Sequence, residues 1–199
     1  MQSLFSTQIY QKKIRFDLPD LLSEIELIKK SDHAGRAWSR TNYTKGYTSY
    51  GSLDQLHKFS STVRGLEQKI NLHVNQYLKS LNYQASVGRA LIMTDCWVNI
   101  MPAGAQHTSH IHPHSVISGV FYVSVPAKAS AIKFEDPRLG LFMNAPLLKK
   151  NSRRSQLRFV NLQPKAGEIV LFESWLKHEV PTNQSKQPRV SLSFNYGWC

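Results

Sequence analysis

The sequence predicts an α+β fold: helices over residues 1–88, then a sandwich or jelly roll of short strands over 89–199, with the helices bracing one sheet. Three observations carry this. Apolar residues recur every three or four positions in two stretches before Gly88, the spacing of an amphipathic helix. Beyond Gly88 the segments turn short, β-branched and aromatic, with Pro and Gly between them. A length of 199 residues, with 41% hydrophobic and 19% charged, suits one domain with a real core and excludes disorder as the main description. Helices followed by a run of strands make one α+β unit.

The elements follow in order. The opening "MQSLFSTQIYQKKIRFDLPD" is too polar for a secretory leader, so the expected compartment is the cytoplasm. Residues 17–31, "DLPDLLSEIELIKKS", read as a helix: Asp17 or Asp20 caps it, Pro19 suits its first turn, and Lys29 and Lys30 suit its last. Leu18, Leu21, Leu22, Ile25 and Ile28 form its apolar stripe. A polar, Gly-bearing loop follows over 39–52, "SRTNYTKGYTSYGS". Residues 53–81 read as one long helix with Phe59, Val63, Leu66, Ile70, Val74, Tyr77 and Leu81 on one side. Gly65 marks a kink or a join within it. His57 and His73, among polar neighbours, read as surface residues.

The strand segments are "ALIMTDCWVNIMP", "SVISGVFYVSVP", "SAIKFEDP", "LRFVNLQP", "GEIVLFES", "HEVPTN" and "RVSLSFNYGW". Trp97, Trp175 and Trp198 read as core. The stretch "LLKKNSRRSQ", residues 147–156, reads as a long exposed loop between two strands. No internal repeat is visible, and no apolar run reaches the length of a membrane span. Two cysteines make no disulfide framework and none of the paired-cysteine zinc spacings, so a metal site here must use nitrogen and oxygen ligands. A net charge of +12 favours an acidic partner: an anionic metabolite, an acidic peptide, a nucleic acid or an anionic surface.

The chemistry concentrates in "HTSHIHPH", residues 107–114. His110, His112 and His114 fall on alternate residues, which a strand places on one face. His107 reads as loop. Downstream, a hydrophobic strand and a short turn precede His178. Arg189 and Ser191 then sit two apart on one face of the last strand. Upstream lies "WVNIMPAG", with Asn99. Asp136 of "FEDPR" reads as a structural strand end.

This ordered set resembles the iron(II) and 2-oxoglutarate-dependent oxygenases, and within them a group of bacterial and phage members. The residues that carry the resemblance are "HIHPHSVISGVFYVSVP", "FEDPR", "GEIVLFESWLKHEV" and "RVSLSFN", with "LFSTQIY" also similar. The resemblance implies a double-stranded β-helix (cupin-like) fold, an Fe(II) centre, 2-oxoglutarate as cosubstrate and dioxygen as oxidant. It implies that Arg189 anchors the distal carboxylate of 2-oxoglutarate through its rigid fork, with a hydrogen bond from Ser191. Tyr122 and Asn99 are candidates to reach the same cosubstrate.

The usual motif of that family is His-x-Asp or His-x-Glu, whereas this chain reads His110-Ile111-His112. Three ligand sets follow: His110, His112 and His178 as a three-histidine triad; His110 and His178 alone; or a set built on His112 and His114, with Pro113 distorting the strand. The first ranks highest. For the substrate, the cations of the exposed loop, Lys149, Lys150, Arg153 and Arg154, are the candidates, together with His114, and an anionic substrate fits them. The expected function is therefore an Fe(II)/2-oxoglutarate oxygenase that hydroxylates its substrate. The alternatives are a three-histidine cupin-type dioxygenase that does not use 2-oxoglutarate, and a basic nucleic-acid-binding β-domain, which ranks last. A homodimer stays open.

Overall fold

The computed structural model describes residues 2, 4–84 and 88–199. Helix α1 (Leu18–Ser31) begins where the sequence predicts. Asp17 accepts a hydrogen bond from the Asp20 amide (3.1 Å), Pro19 fills the first turn, and Lys29 and Lys30 lie in the last. Leu21 and Ile25 of its stripe are fully buried.

Helix α2 (His33–Asn42) follows at once, capped by Asp32, which accepts from the Gly35 amide (2.7 Å). A Cβ on Gly35 would fall 1.9 Å from the Asp32 carboxylate, so only glycine fits this turn. The polar stretch over 39–52 is therefore not loop throughout, which corrects the expectation. Its first residues finish α2, and Tyr47–Thr48 form a short strand, β2. Ser39 ties the two together, donating to the Thr48 carbonyl and accepting from its amide.

The helix expected over 53–81 is also two: α3 (Leu56–Phe59) and α4 (Ser61–Ser80). The break falls at Ser60, not at Gly65. Ser60 has extended backbone and its hydroxyl accepts from the Val63 amide (2.9 Å), a cap that starts α4 afresh. Val63, Leu66, Ile70, Val74 and Tyr77 form the buried stripe as read, while Phe59 lies exposed. His57 is buried rather than on the surface, because α3 packs it inward. His73 is half-buried and bonds the Tyr10 hydroxyl (2.8 Å).

The strands form two antiparallel sheets. The larger has six strands in the order β1 (Tyr10–Lys13), β8 (Glu168–Glu173), β5 (Ile117–Ser124), β10 (Arg189–Trp198), β3 (Leu91–Met101) and β2. The smaller has four, in the order β4 (His107–His110), β9 (His178–Val180), β6 (Ile132–Glu135) and β7 (Phe159–Leu162). The helical part thus supplies both edge strands of the large sheet, β1 and β2.

Alternation along each strand separates two cores. Val98, Ile100, Phe121, Ile169, Leu171, Leu192 and Phe194 face the helices and join the stripes of α1 and α4. Val120, Tyr122, Val170 and Phe172 point the other way, onto Ile132, Phe134 and Leu162 of the small sheet. Gly119 lets the Phe194 ring lie where a Cβ would sit, 2.4 Å away. Trp97 is buried as expected, but Trp175 is exposed on the turn after β8, because that turn carries it out of the sheet. Among the described residues no helix is long and apolar enough to cross a membrane.

Candidate metal centre

The face of the small sheet that looks at the large one carries the histidines. His110 ends β4 and His178 begins β9, and the two are paired across the sheet. Strand β4 stops there, so the alternate row does not run on to His114. That residue lies in an exposed turn with φ +67° and stands apart from the other two. His107, read as loop, instead starts β4. His112 follows two residues beyond the strand and is pinned by its amide, which donates to the Ser174 carbonyl (3.0 Å).

His110, His112 and His178 each bring a ring nitrogen to one point, with these atoms within 4.8 Å of one another. Their orientations are set from behind. The His110 Nδ1–H donates to the Thr108 carbonyl (2.7 Å), and the His178 Nδ1–H donates to the Leu176 carbonyl (2.8 Å). Both rings therefore leave Nε2 bare. His112 Nε2 lies 3.3 Å from His178 Nε2. Two imidazoles bonded to an octahedral ion at about 2.1 Å place their nitrogens roughly 3 Å apart, so the donor set fits a divalent metal.

Two rings of this cluster, His112 and His178, and His107 beside them are held neutral. Burial, with repulsion from His110, pushes His178 down to about 3 and His112 down to about 4. At His112 the Asp95 charge and the Asn195 side chain oppose that fall. His107 is pushed down to about 3 by burial, then by His110 and Arg189. Neutral imidazoles are the form that binds metal.

Deeper between the sheets lies Arg189, 2% exposed. Its guanidinium stacks over the Tyr122 ring at 4.8 Å and touches the Met101 sulfur at 3.3 Å. Its Nε has no partner, and no carboxylate pairs with it among the described residues. A buried cation without a counter-ion is costly unless an anion joins it. Register places the other predicted groups beside it: Ser191 on β10 lies opposite Asn99 on β3 and Tyr122 on β5. The Tyr122 hydroxyl and Asn99 Oδ1 are buried without hydrogen-bond partners.

Tyr43 was not singled out in the sequence. Its buried hydroxyl is likewise unpartnered and its ring packs on His107 at 4.4 Å. The chain offers no local signal for it, since Tyr43 reaches the site from the end of α2. Asp95 and Asn195, which oppose the fall at His112, were missed too, because only the β3–β10 register pairs them.

Lys149, Lys150, Arg153 and Arg154 are exposed on the connection between β6 and β7. That connection leaves the sheet one residue beyond the row of His110, His178 and Phe134, at the metal end. Arg154 is partly committed, donating to the Asn161 carbonyl (3.0 Å). Asp136 pairs with Arg138 (2.8 Å) and takes no part in the histidine cluster, as expected of a structural strand end.

A family model described as "Putative 2OG-Fe(II) oxygenase" matches residues 95–195, which hold all three histidines and Arg189. No curated protein matches the chain. Among solved structures, the non-heme α-ketoglutarate-dependent epimerase SnoN from nogalamycin biosynthesis is similar over 96% of this chain and 77% of its own, at 14% identity and a TM-score of 0.66. A Pseudomonas putida prolyl-4-hydroxylase is similar over 96% and 92%, at 15% identity and a TM-score of 0.59. HygX from Streptomyces hygroscopicus, solved with nickel and 2-oxoglutarate, is similar over 96% and 83%, at 12% identity and a TM-score of 0.59. At such identities the likeness is one of fold, the double-stranded β-helix built of a larger and a smaller sheet.

Proposed function

The chain belongs to the 2OG-Fe(II) oxygenase family, and from that premise we propose that His110, His112 and His178 hold the iron and that Arg189 anchors 2-oxoglutarate. When bound, iron(II) and 2-oxoglutarate supply the activation of dioxygen, with release of succinate and carbon dioxide and hydroxylation of a substrate carbon. The protein's own part is to place and enclose these groups. Three imidazoles bring a ring nitrogen to one point, two of them fixed by Nδ1–H bonds to main-chain carbonyls. Arg189 takes the distal carboxylate, with Ser191 and the unpartnered Tyr122 hydroxyl adding hydrogen bonds. Asn99 borders the same space. The chain works as one oxygenase domain, residues 1–199, because β1 and β2 of the helical part complete the sheet that carries the anchor.

The substrate is anionic with an apolar body. The connection over 136–158 exposes Leu141, Met143 and Leu147 beside Lys149, Lys150 and Arg153, and it springs from the metal end of the small sheet. His114 lies exposed on the turn after His112 and is a second candidate contact.

The observation that carries the proposal is the buried, unpaired Arg189 in the same space as the histidines. Arg189→Ala tests it. Metal binding should persist while affinity for 2-oxoglutarate falls by about 2–5 kcal/mol. Unchanged 2-oxoglutarate binding would remove Arg189 as the anchor. A second reading rests on the triad's lack of a carboxylate: a three-histidine dioxygenase that binds its substrate's own carboxylate at Arg189. Release of succinate during turnover decides against it, and oxygen consumption without succinate decides for it.

A further inference from the structure

We infer that the connection between β6 and β7 docks the protein on an anionic lipid bilayer, inserting aliphatic side chains among headgroups that its cations attract. This deepens the proposed capture of an anionic substrate with an apolar body, because a molecule of that kind is an amphiphile at home in a bilayer. The docking stands on the connection alone, whereas its bearing on catalysis rests on the proposed iron centre.

Three aliphatic side chains are the starting point. Leu141 is 78% exposed, Met143 97% and Leu147 96%. Single exposed apolar residues are ordinary on a protein surface, but a group of them is not. These three flank one clamp. The Arg158 guanidinium donates to the Pro146 carbonyl and lies over the Phe142 ring at 6.0 Å. Arg138 lies over the same ring at 5.8 Å and is itself held by Asp136 (2.8 and 3.0 Å). Cations thus cover Phe142, while Leu141 and Met143 on either side of it, and Leu147 next to Pro146, are left in water. Main-chain bonds hold this shape: the Leu141 amide donates to the Arg138 carbonyl (2.8 Å) and the Phe142 amide to the Leu139 carbonyl (3.1 Å). The exposure therefore belongs to a folded connection.

The charge is equally one-sided. Residues 137–158 include Arg138, Lys149, Lys150, Arg153, Arg154 and Arg158 and no Asp or Glu. Asp136, just before them, is bonded to Arg138. Lys149, Lys150 and Arg153 make no ion pair among the described residues. Aliphatic groups beside Lys and Arg suit an anionic bilayer: apolar area enters the acyl boundary and cations meet headgroups. A single-stranded nucleic acid would use the cations, but its bases need aromatic faces to stack on. Here the rings carry cations instead, Arg138 and Arg158 over Phe142 and Lys133 over Phe159 at 4.3 Å. The connection leaves β6 one residue beyond the pairing of Phe134 with His178, so docking through it turns the metal end toward the lipid.

Co-sedimentation of the full chain with vesicles reads this directly. Vesicles of equal parts phosphatidylglycerol and phosphatidylcholine should carry the protein down, and vesicles of phosphatidylcholine alone should not. Met143→Ser combined with Leu147→Ser should weaken binding to the mixed vesicles about 10-fold. Replacing Lys149, Lys150 and Arg153 with Gln should weaken it on the order of 100-fold, about fivefold for each cation near the surface. All five positions are exposed, so both variants should keep the wild-type melting temperature. Failure of the unaltered protein to bind the mixed vesicles overturns the inference. So does unchanged binding by the serine variant. A nucleic-acid surface would show as loss on charge removal alone, with a single-stranded oligonucleotide bound equally by the serine variant and the wild type, and that too overturns it. His178→Ala separates the docking from the iron centre. It should lose Co(II) and still bind the mixed vesicles. If it keeps Co(II) fully, the three-histidine centre is wrong while the docking stands. If it stays folded but leaves the vesicles, docking through the connection is refuted.

Discussion

His178, His112 and His107 owe their neutrality to burial and then to His110 beside them, and that has a consequence for the metal-free protein. Their folded-state values lie at about 3, about 4 and about 3, below the ordinary value of about 6.5 that the unfolded chain regains. Between those limits the unfolded state binds more protons than the folded one. Stability is therefore fully present above about pH 6.5 and is lost as pH falls toward 4 and then 3. We expect the melting temperature of metal-free protein to drop across that window, and His107→Gln to flatten the slope. A variant with the wild-type slope would place the titration elsewhere. His107 also marks what the sequence conceals at this scale. Its neighbours in the chain read as loop, and only pairing with β9 makes it a strand residue that packs on Tyr43. His114 is the converse: the alternation was real in the sequence, but the chain turns at Pro113 and carries that ring away.

At the scale of elements, legibility followed the kind of packing each one uses. Helix α1 and most of α4 bury apolar stripes, and a stripe is a periodic signal. Helix α2 packs through Gly35 and Ser39 and bonds β2 through a hydroxyl, so it left no apolar period to read. The break at Ser60 was likewise invisible, because Ser60 is unremarkable in composition until its hydroxyl is seen capping Val63. The β6–β7 connection was legible from charge alone, while its exposed Leu141, Met143 and Leu147 gain meaning only from its position at the metal end. Loops borne on a rigid sheet commonly carry specificity. Neutralising Lys149, Lys150 and Arg153 together should slow hydroxylation of an acidic substrate several-fold while leaving succinate formation without substrate unchanged. Equal loss of both would make the connection structural rather than a capture surface.

At the scale of the molecule, the site exists because two sheets face each other. The small sheet supplies His110 and His178, the large sheet supplies Arg189, Ser191, Tyr122 and Asn99, and the turn after β4 supplies His112. The order of these residues along the chain was readable. Their convergence was not, since it depends on pairings such as β10 with β3 and β5 that no local pattern states. The proposed ligands would couple the two sheets thermodynamically. Under the proposed function, metal would engage the small sheet and the turn, while 2-oxoglutarate would span from metal to Arg189 on the large sheet. A ligand at 100 times its Kd stabilises the folded state by about 2.7 kcal/mol. For a chain of this size, each kcal/mol raises the melting temperature by roughly 2–4 °C. Ni(II) alone should therefore raise it by several degrees, and 2-oxoglutarate should add a comparable shift only when Ni(II) is present. In Arg189→Ala the Ni(II) shift should remain and the 2-oxoglutarate increment should vanish. An increment from 2-oxoglutarate in the absence of metal, equal to that in its presence, would mean that the ketoacid does not bridge the two sheets through the ion.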